Sequence, residues 1–114
     1  MVEDNADVTD ALRILFEHSG YRVSTAANVA EAVQIGVQDT PVVVLLDVSL
    51  GDREDGMEIL RRWRERGVAQ PRVIALTGHA DDATRERCAA AGCEAVLLKP
   101  ATTADLLAAV KSAT

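Results

Sequence analysis

The residues of this chain best equipped for chemistry stand at the ends of apolar runs. Asp47 closes the run Val42-Val43-Val44-Leu45-Leu46, Thr77 follows Val73-Ile74-Ala75-Leu76, and Lys99 follows Val96-Leu97-Leu98. Glu3 and Asp4 form an adjacent acid pair after Met1-Val2. Taken singly, each has an ordinary explanation as a turn former or a helix cap. Taken together they are more restrictive, because carboxylates converging on one point raise one another's pKa unless a cation is present. The donors are all oxygen, with no His or Cys beside them in sequence, which favours a hard ion such as Mg²⁺ over zinc. An ammonium and a hydroxyl at the same edge would complete a site for a phosphoryl group, by charge neutralisation from Lys99 and a hydrogen bond from Thr77. A carboxylate can itself be the nucleophile and form an aspartyl-phosphate.

Such a set works only if the fold brings it together, and the apolar spacing predicts how. Residues 6–19 carry Val8, Ala11, Leu12, Leu15 and Phe16 at helical spacing, with Gly20 as the stop. Residues 21–26 alternate as a short strand. Asn28 and Glu31 form a capping box that opens a helix with Ala30, Val33 and Val37 inward, ended before Pro41. The run 42–46 is apolar on both faces and reads as a fully buried parallel strand. A charged, Gly-containing loop over 51–56 leads into a helix with Ile59, Leu60 and Trp63 on one face. A strand over 72–76, an Ala-rich helix over about 82–91 stopped by Gly92, and a strand over 94–98 follow. Thr102 and Asp105 then cap a last helix with Leu106, Leu107 and Val110 inward. Alternating strands and helices of this length predict an α/β domain with a parallel sheet, occupying residues 1–114 as one unit. Ligands of open parallel sheets bind beyond the carboxyl ends of the strands, where the polar residues above fall.

Composition narrows the function. The net charge of −6 argues against direct nucleic-acid binding, which needs clustered Lys and Arg. The arginines at 61, 62, 64 and 66 read as the solvated face of an amphipathic helix. Cys88 and Cys93 match no metal-ligand spacing and are expected to be free thiols of a reducing, cytoplasmic compartment. No apolar run approaches the ~18 residues of a membrane span, and no secretory leader is expected.

Over essentially its whole length the chain resembles the receiver domain of bacterial two-component response regulators. The resemblance rests on the acid pair in VEDN, Asp47 in VVVLLDVSL, Thr77 in VIALTG and Lys99-Pro100 in LLKP, with separations of 43, 30 and 22 residues from Asp4 to Asp47 to Thr77 to Lys99. DGMEILRRWR and AAGCEAVLLKP also look like segments of that family. The resemblance implies a flavodoxin-like, doubly wound sheet of five parallel strands in the order 2-1-3-4-5, here with a short first strand. It implies that Asp47 takes a phosphoryl group from a histidine kinase or a histidine phosphotransfer domain. Mg²⁺ would be bound by Asp4 and Asp47 directly, by Glu3 through water and by the Ser49 backbone carbonyl. Thr77 and the Gly78 amide would contact the phosphoryl oxygens and Lys99 would pair with them. The Lys99–Pro100 bond is expected to be cis. Ser49 and His79 occupy positions that influence the lifetime of the phosphorylated state, and Asp7 and Val8 on the first helix are candidates for partner docking.

Several positions depart from the family pattern. Only two residues precede the acid pair, so the second and third strands should be poorly bridged. Val96 stands where an aromatic switch residue is usual, and Ala101 replaces the aromatic often found after Lys-Pro, which weakens the expectation of a homodimer built on the last strand. Gly51 replaces a common proline in a loop one residue longer than usual. Two other readings compete with phosphoacceptance. One is a receiver-like module that binds partners without phosphorylation. The other is an aspartate-nucleophile phosphatase, disfavoured because Ser49 stands where that chemistry needs a second acid.

Overall fold

The computed structural model describes residues 1–50, 54–78 and 81–113. Its helices are α1 (Ala6–His18), α2 (Val29–Asp39), α3 (Met57–Glu65), α4 (Asp82–Ala90) and α5 (Thr103–Ala113). Its strands are β1 (Val43–Asp47), β2 (Ser49–Leu50), β3 (Glu54–Asp55), β4 (Arg72–Thr77) and β5 (Cys93–Leu98). β1, β4 and β5 form a parallel sheet in that order, with Asp47 opposite Leu76 and Thr77 opposite Leu98. β2 and β3 pair antiparallel as a separate two-stranded ribbon in a stretch that the sequence presents as loop.

The two strands expected ahead of β1 are each reduced to a single bridge. Val2 pairs in parallel with Ala26 on one side and with Leu46 on the other. The spatial order is therefore Ala26, Val2, β1, β4, β5, the order 2-1-3-4-5 with its first two members shortened. Among the described residues, the expected strand over 21–26 makes one bridge, Ala26 to Val2, and Ser24 O accepts from the Met1 amino group at 3.0 Å. Four backbone bonds hold Val2 and its neighbours in place: Val2 N–H to Leu45 O, Asp47 N–H to Val2 O, Ala26 N–H to Met1 O and Glu3 N–H to Ala26 O, at 2.8–3.0 Å.

Strand periodicity splits the core into two halves, one on each face of the sheet. Val44, Leu46, Val73 and Ala75 pack with Val33, Ile59, Leu60 and Trp63 under α2 and α3. Leu45, Ile74 and Leu76 pack with Leu12, Phe16, Leu106 and Val110 under α1 and α5. Both faces of β1 are thus covered, as its unbroken apolar run requires. The outer end of that run is not covered, since Val42 is 70% exposed.

Caps define the helix starts. The Asn28 side chain accepts from Glu31 N–H at 2.9 Å, while Glu31 reaches back to the Ala27 amide at 3.2 Å. Thr102 and Asp105 make the reciprocal pair at α5. Helix phase differs from the expectation at two helices. α1 buries Thr9, Leu12 and Phe16, leaving Val8 and Ala11 exposed. α2 buries Val29, Ala32, Val33 and Gly36, leaving Ala30 and Val37 exposed. The reason at α2 is Gly36, which lies against the indole of Trp63, whose Nε1 donates to Val33 O at 3.3 Å.

A β-carbon on Gly36 would come within 2.1 Å of Trp63 Nε1. Trp63 is fully buried and cannot swing aside. Gly36→Ala is therefore expected to destabilise the fold by about 1–3 kcal/mol, read as a lowered urea midpoint with an unchanged denaturant slope.

Candidate functional site

Three strand ends and the stub before α1 deliver the polar set to one edge of the sheet. Asp47 ends β1 and is 2% exposed; Thr77 ends β4 and is 5% exposed. Lys99 follows β5, its amide donating to Thr77 O at 2.7 Å, so the β4–β5 ladder extends one bond beyond the strands and fixes where the lysine begins. Glu3 and Asp4 arrive directly after Val2, whose bridges to Ala26 and Leu46 place them beside Asp47. The chain then turns into α1. The Asn5 side chain caps it by accepting from the Asp7 and Val8 amides, and the Asn5 amide donates to Glu3 Oε1 at 3.2 Å.

The carboxylates of Glu3, Asp4 and Asp47 each offer an oxygen within 4.8 Å of the others. Lys99 Nζ lies 2.5 Å from Asp47 Oδ2 and 3.7 Å from Glu3 Oε2. One ammonium thus pairs with two of the three clustered acids. The imbalance shows at Glu3, whose pKa is pushed up to about 7, first by burial and then by hydrogen bonding with Asp4 and Asp47, with the Asn5 amide opposing. At Lys99 burial acts against the charged form, but the hydrogen bond to Asp47 and the charges of Asp47 and Glu3 outweigh it and hold its pKa above the ordinary lysine value. An acidic cluster with an excess of negative charge, all oxygen donors and near-complete burial of its central member suits a hard divalent cation.

The remaining site residues are placed as follows. Ser49 lies in β2, two residues past Asp47, its backbone paired with Asp55. Gly78 follows Thr77 at the mouth of the site, where an added β-carbon would meet open space. The Lys99–Pro100 bond is cis. His79 and Gly51 lie outside the described residues. Val96 is half-buried and packs on the core under α2 and α3.

Gly56 reads in the sequence as the end of a charged loop, with no role at the site. Its N–H donates to Val48 O at 2.8 Å, and a β-carbon there would come within 2.3 Å of the Asp47 carbonyl oxygen. Its conformation is ordinary for any residue, with φ −57° and ψ −29°. Close approach to the backbone of Asp47 is what requires glycine. Asp55, just before it, accepts from the Met57 amide at 3.0 Å and starts α3. The Asp-Gly pair thus starts a helix and seats the Asp47 backbone; the sequence shows only its place at the head of the DGMEILRRWR segment.

Over residues 1–111 the chain matches the family described as the response regulator receiver domain. It is 32% identical over 113 residues to an uncharacterised 14.6 kDa protein of Leptolyngbya boryana, covering 97% of this chain and 85% of that one. It is 30% identical over 100 residues to the transcriptional regulatory protein PhoP of Escherichia coli K12, covering 88% of this chain and 44% of PhoP. Among solved structures, a CheY-like receiver domain protein of Methanospirillum hungatei superimposes with a TM-score of 0.85 at 28% identity, covering 97% of this chain and 87% of that one. The chain belongs to the response-regulator receiver domain family, the phosphorylation-signalling modules of two-component systems. It spans less than half of PhoP. Among the described residues no helix is long and apolar enough to cross a membrane.

Two predictions follow from this geometry. Gly56→Ala should displace the Asp47 backbone, lowering stability by about 1–3 kcal/mol and slowing phosphoryl uptake, as measured by urea titration and acetyl-phosphate labelling. In metal-free protein Glu3 holds its proton more tightly folded than unfolded, so its contribution to stability is present below about pH 4.5 and is lost as pH rises to about 7. Glu3→Gln should flatten that part of the stability profile, and added Mg²⁺ should offset the loss in wild type.

Proposed function

We propose that Asp47 is the phosphoacceptor, that Glu3, Asp4 and Asp47 hold Mg²⁺ together with the Ser49 backbone carbonyl, and that Thr77, Gly78 and Lys99 bind the phosphoryl oxygens. The observation that carries this reading is the buried Asp47 carboxylate, 2.5 Å from Lys99 Nζ and within 4.8 Å of the Glu3 and Asp4 oxygens. Family membership and the excess negative charge of the cluster support it.

The donor is a phosphohistidine of a histidine kinase or of a histidine phosphotransfer domain. An Asp47 carboxylate oxygen attacks phosphorus in line. The new P–O bond forms as the P–N bond breaks, and the imidazole leaves with the electron pair and takes a proton from solvent. Lys99 screens the charge shared between the carboxylate and the incoming phosphoryl oxygens, while the Thr77 hydroxyl and Gly78 amide donate to those oxygens. Bound Mg²⁺ supplies charge neutralisation to the carboxylates and the transferring group. Attack of water on phosphorus later releases phosphate and restores Asp47. The protein acts on its own side chain and turns over no other substrate, which makes it a switch operating in the cytoplasm. Nothing in the geometry favours the phosphatase reading, because no acid stands at position 49.

With acetyl phosphate and Mg²⁺, wild type should label to about one phosphoryl per chain. Asp47→Asn and chelation of the metal should each abolish labelling, and Lys99→Ala should slow it by about 10²-fold or more. Equal, negligible labelling of wild type and Asp47→Asn would refute the assignment and favour a binding module that works without phosphorylation.

A further inference from the structure

Helix α4 holds to the sheet by fewer buried side chains than any other helix. Among its described residues only Cys88 is buried, at 1% exposure. The helix closes on Gly92, whose φ of +95° is left-handed and whose N–H donates to Ala89 O at 3.0 Å. With Ala91 as the cap, this is the closure in which the third residue from the helix end meets the residue after the glycine. Here those two residues are Cys88 and Cys93. Cys88 belongs to the core under α2 and α3. Cys93, the first residue of β5 and paired with Val73, is half-buried and packs against the same cluster. Both are free thiols, and that of Cys93 is in hydrogen-bonding contact with that of Cys88. Burial and the neighbouring thiol push the Cys93 pKa up to about 12. The pair lies at the amino end of β5, the opposite end of the strand from Lys99, and so takes no part in the acidic site.

We propose that Cys88 and Cys93 form a reversible dithiol–disulfide site, oxidised by a low-molecular-weight disulfide, that clamps α4 to the start of β5. Any two apolar side chains would satisfy the packing of this helix closure. Two thiols add the capacity for a covalent bond across it. Exposure assigns the order of events: an oxidant can reach half-buried Cys93, whereas Cys88 is shut away in the core. Cys93 loses its proton to solvent, and its sulfur attacks one sulfur of the oxidant. A mixed disulfide forms as the oxidant's S–S bond breaks, and the departing thiolate takes up a proton. Cys88 then loses its proton to solvent and attacks Cys93 Sγ. The Cys88–Cys93 bond forms as the mixed disulfide breaks, and the second thiolate leaves and is protonated. Two electrons pass from the protein to the oxidant, which ends as two thiols. The second step is favoured because the attacking sulfur already touches its target. The first is slow, because little of Cys93 is ionised near neutral pH. The site therefore answers to sustained oxidation and not to a brief pulse. Its closure turns the one buried contact of α4 into a covalent one.

The test exposes folded wild type, Cys88→Ala and Cys93→Ala to oxidised glutathione, then unfolds, alkylates and weighs them. Both cysteines fall in the tryptic peptide that begins at Cys88. An internal disulfide therefore shows as that peptide lacking two hydrogens and taking up no alkyl group. Wild type should reach this form as a monomer and revert on reduction. Cys88→Ala should stop at a mixed disulfide on Cys93, and Cys93→Ala should keep an unmodified Cys88. Oxidation of wild type should slow amide exchange in α4 by about ten-fold. Wild type that retains both thiols, stops at the mixed disulfide or cross-links between chains would overturn the proposal. Equal α4 exchange in the reduced and oxidised forms would overturn the clamp. Should Cys88→Ala fail to fold, Cys93→Ala carries the test, because glutathione on its Cys88 would overturn the order of events. None of these readouts depends on phosphorylation, so this proposal and the phosphoacceptor assignment can fail separately.

Discussion

The structure depends on one electrostatic compromise: three carboxylates and one ammonium share the end of a sheet in which the central carboxylate has almost no contact with water. Burial of an ionised group is tolerated when an opposite charge and hydrogen bonds stand in for the lost solvent. Lys99 does this for Asp47, and its second contact, to Glu3, is longer and weaker. Glu3 absorbs the remaining imbalance by holding a proton into the neutral range. A site in this condition has an unmet demand for positive charge. That demand is the physical basis for expecting a cation to bind there and a phosphoryl group to follow it.

The compromise is positioned by backbone, before any side chain chooses a rotamer. Asp47, Thr77 and Lys99 are attached to three adjacent parallel strands whose register is locked by packing on both faces. A slip of one residue in β1 would exchange Leu46 for Leu45 between the two half-cores and move Asp47 off the edge. The ribbon of β2 and β3 folds back so that Gly56 touches the Asp47 carbonyl, giving Asp47 a second backbone support from its own downstream chain. Glu3 and Asp4 have less support, since Val2 is the only bridged residue behind them.

Much of this was legible in the sequence where a local rule governs it. The unbroken apolar run 42–46 marked the buried strand, and the reciprocal pairs Asn28–Glu31 and Thr102–Asp105 marked two helix starts that the structure places within a residue. Polar residues at strand ends could be gathered into one site because parallel sheets align those ends. Features decided by tertiary partners were not legible. Apolar spacing identified α1 and α2 as helices but not which way they face, because Gly36 against Trp63 and Leu12 and Phe16 against the sheet set the rotation. The spacing of Gly56 from the Asp47 carbonyl is a distance between segments, invisible to any local pattern. The alternation over 21–26 is that of a strand, yet only Ala26 finds a bridging partner.

Between the site and the surface this chain has different parts from those the family pattern would supply. At the usual switch position Val96 is packed on the core, with no ring to rotate and no hydroxyl to expose. A continuous line of contacts nevertheless runs outward from Asp47. The Asp47 carbonyl meets Gly56, Asp55 beside it caps α3 through one carboxylate oxygen, and its other oxygen pairs with Arg87 on α4. Both partners of that ion pair are half-exposed, so it contributes little to stability. The Asp47 backbone is thereby connected to α4 through Gly56, Asp55 and one exposed ion pair, while the buried Cys88 ties α4 to the core.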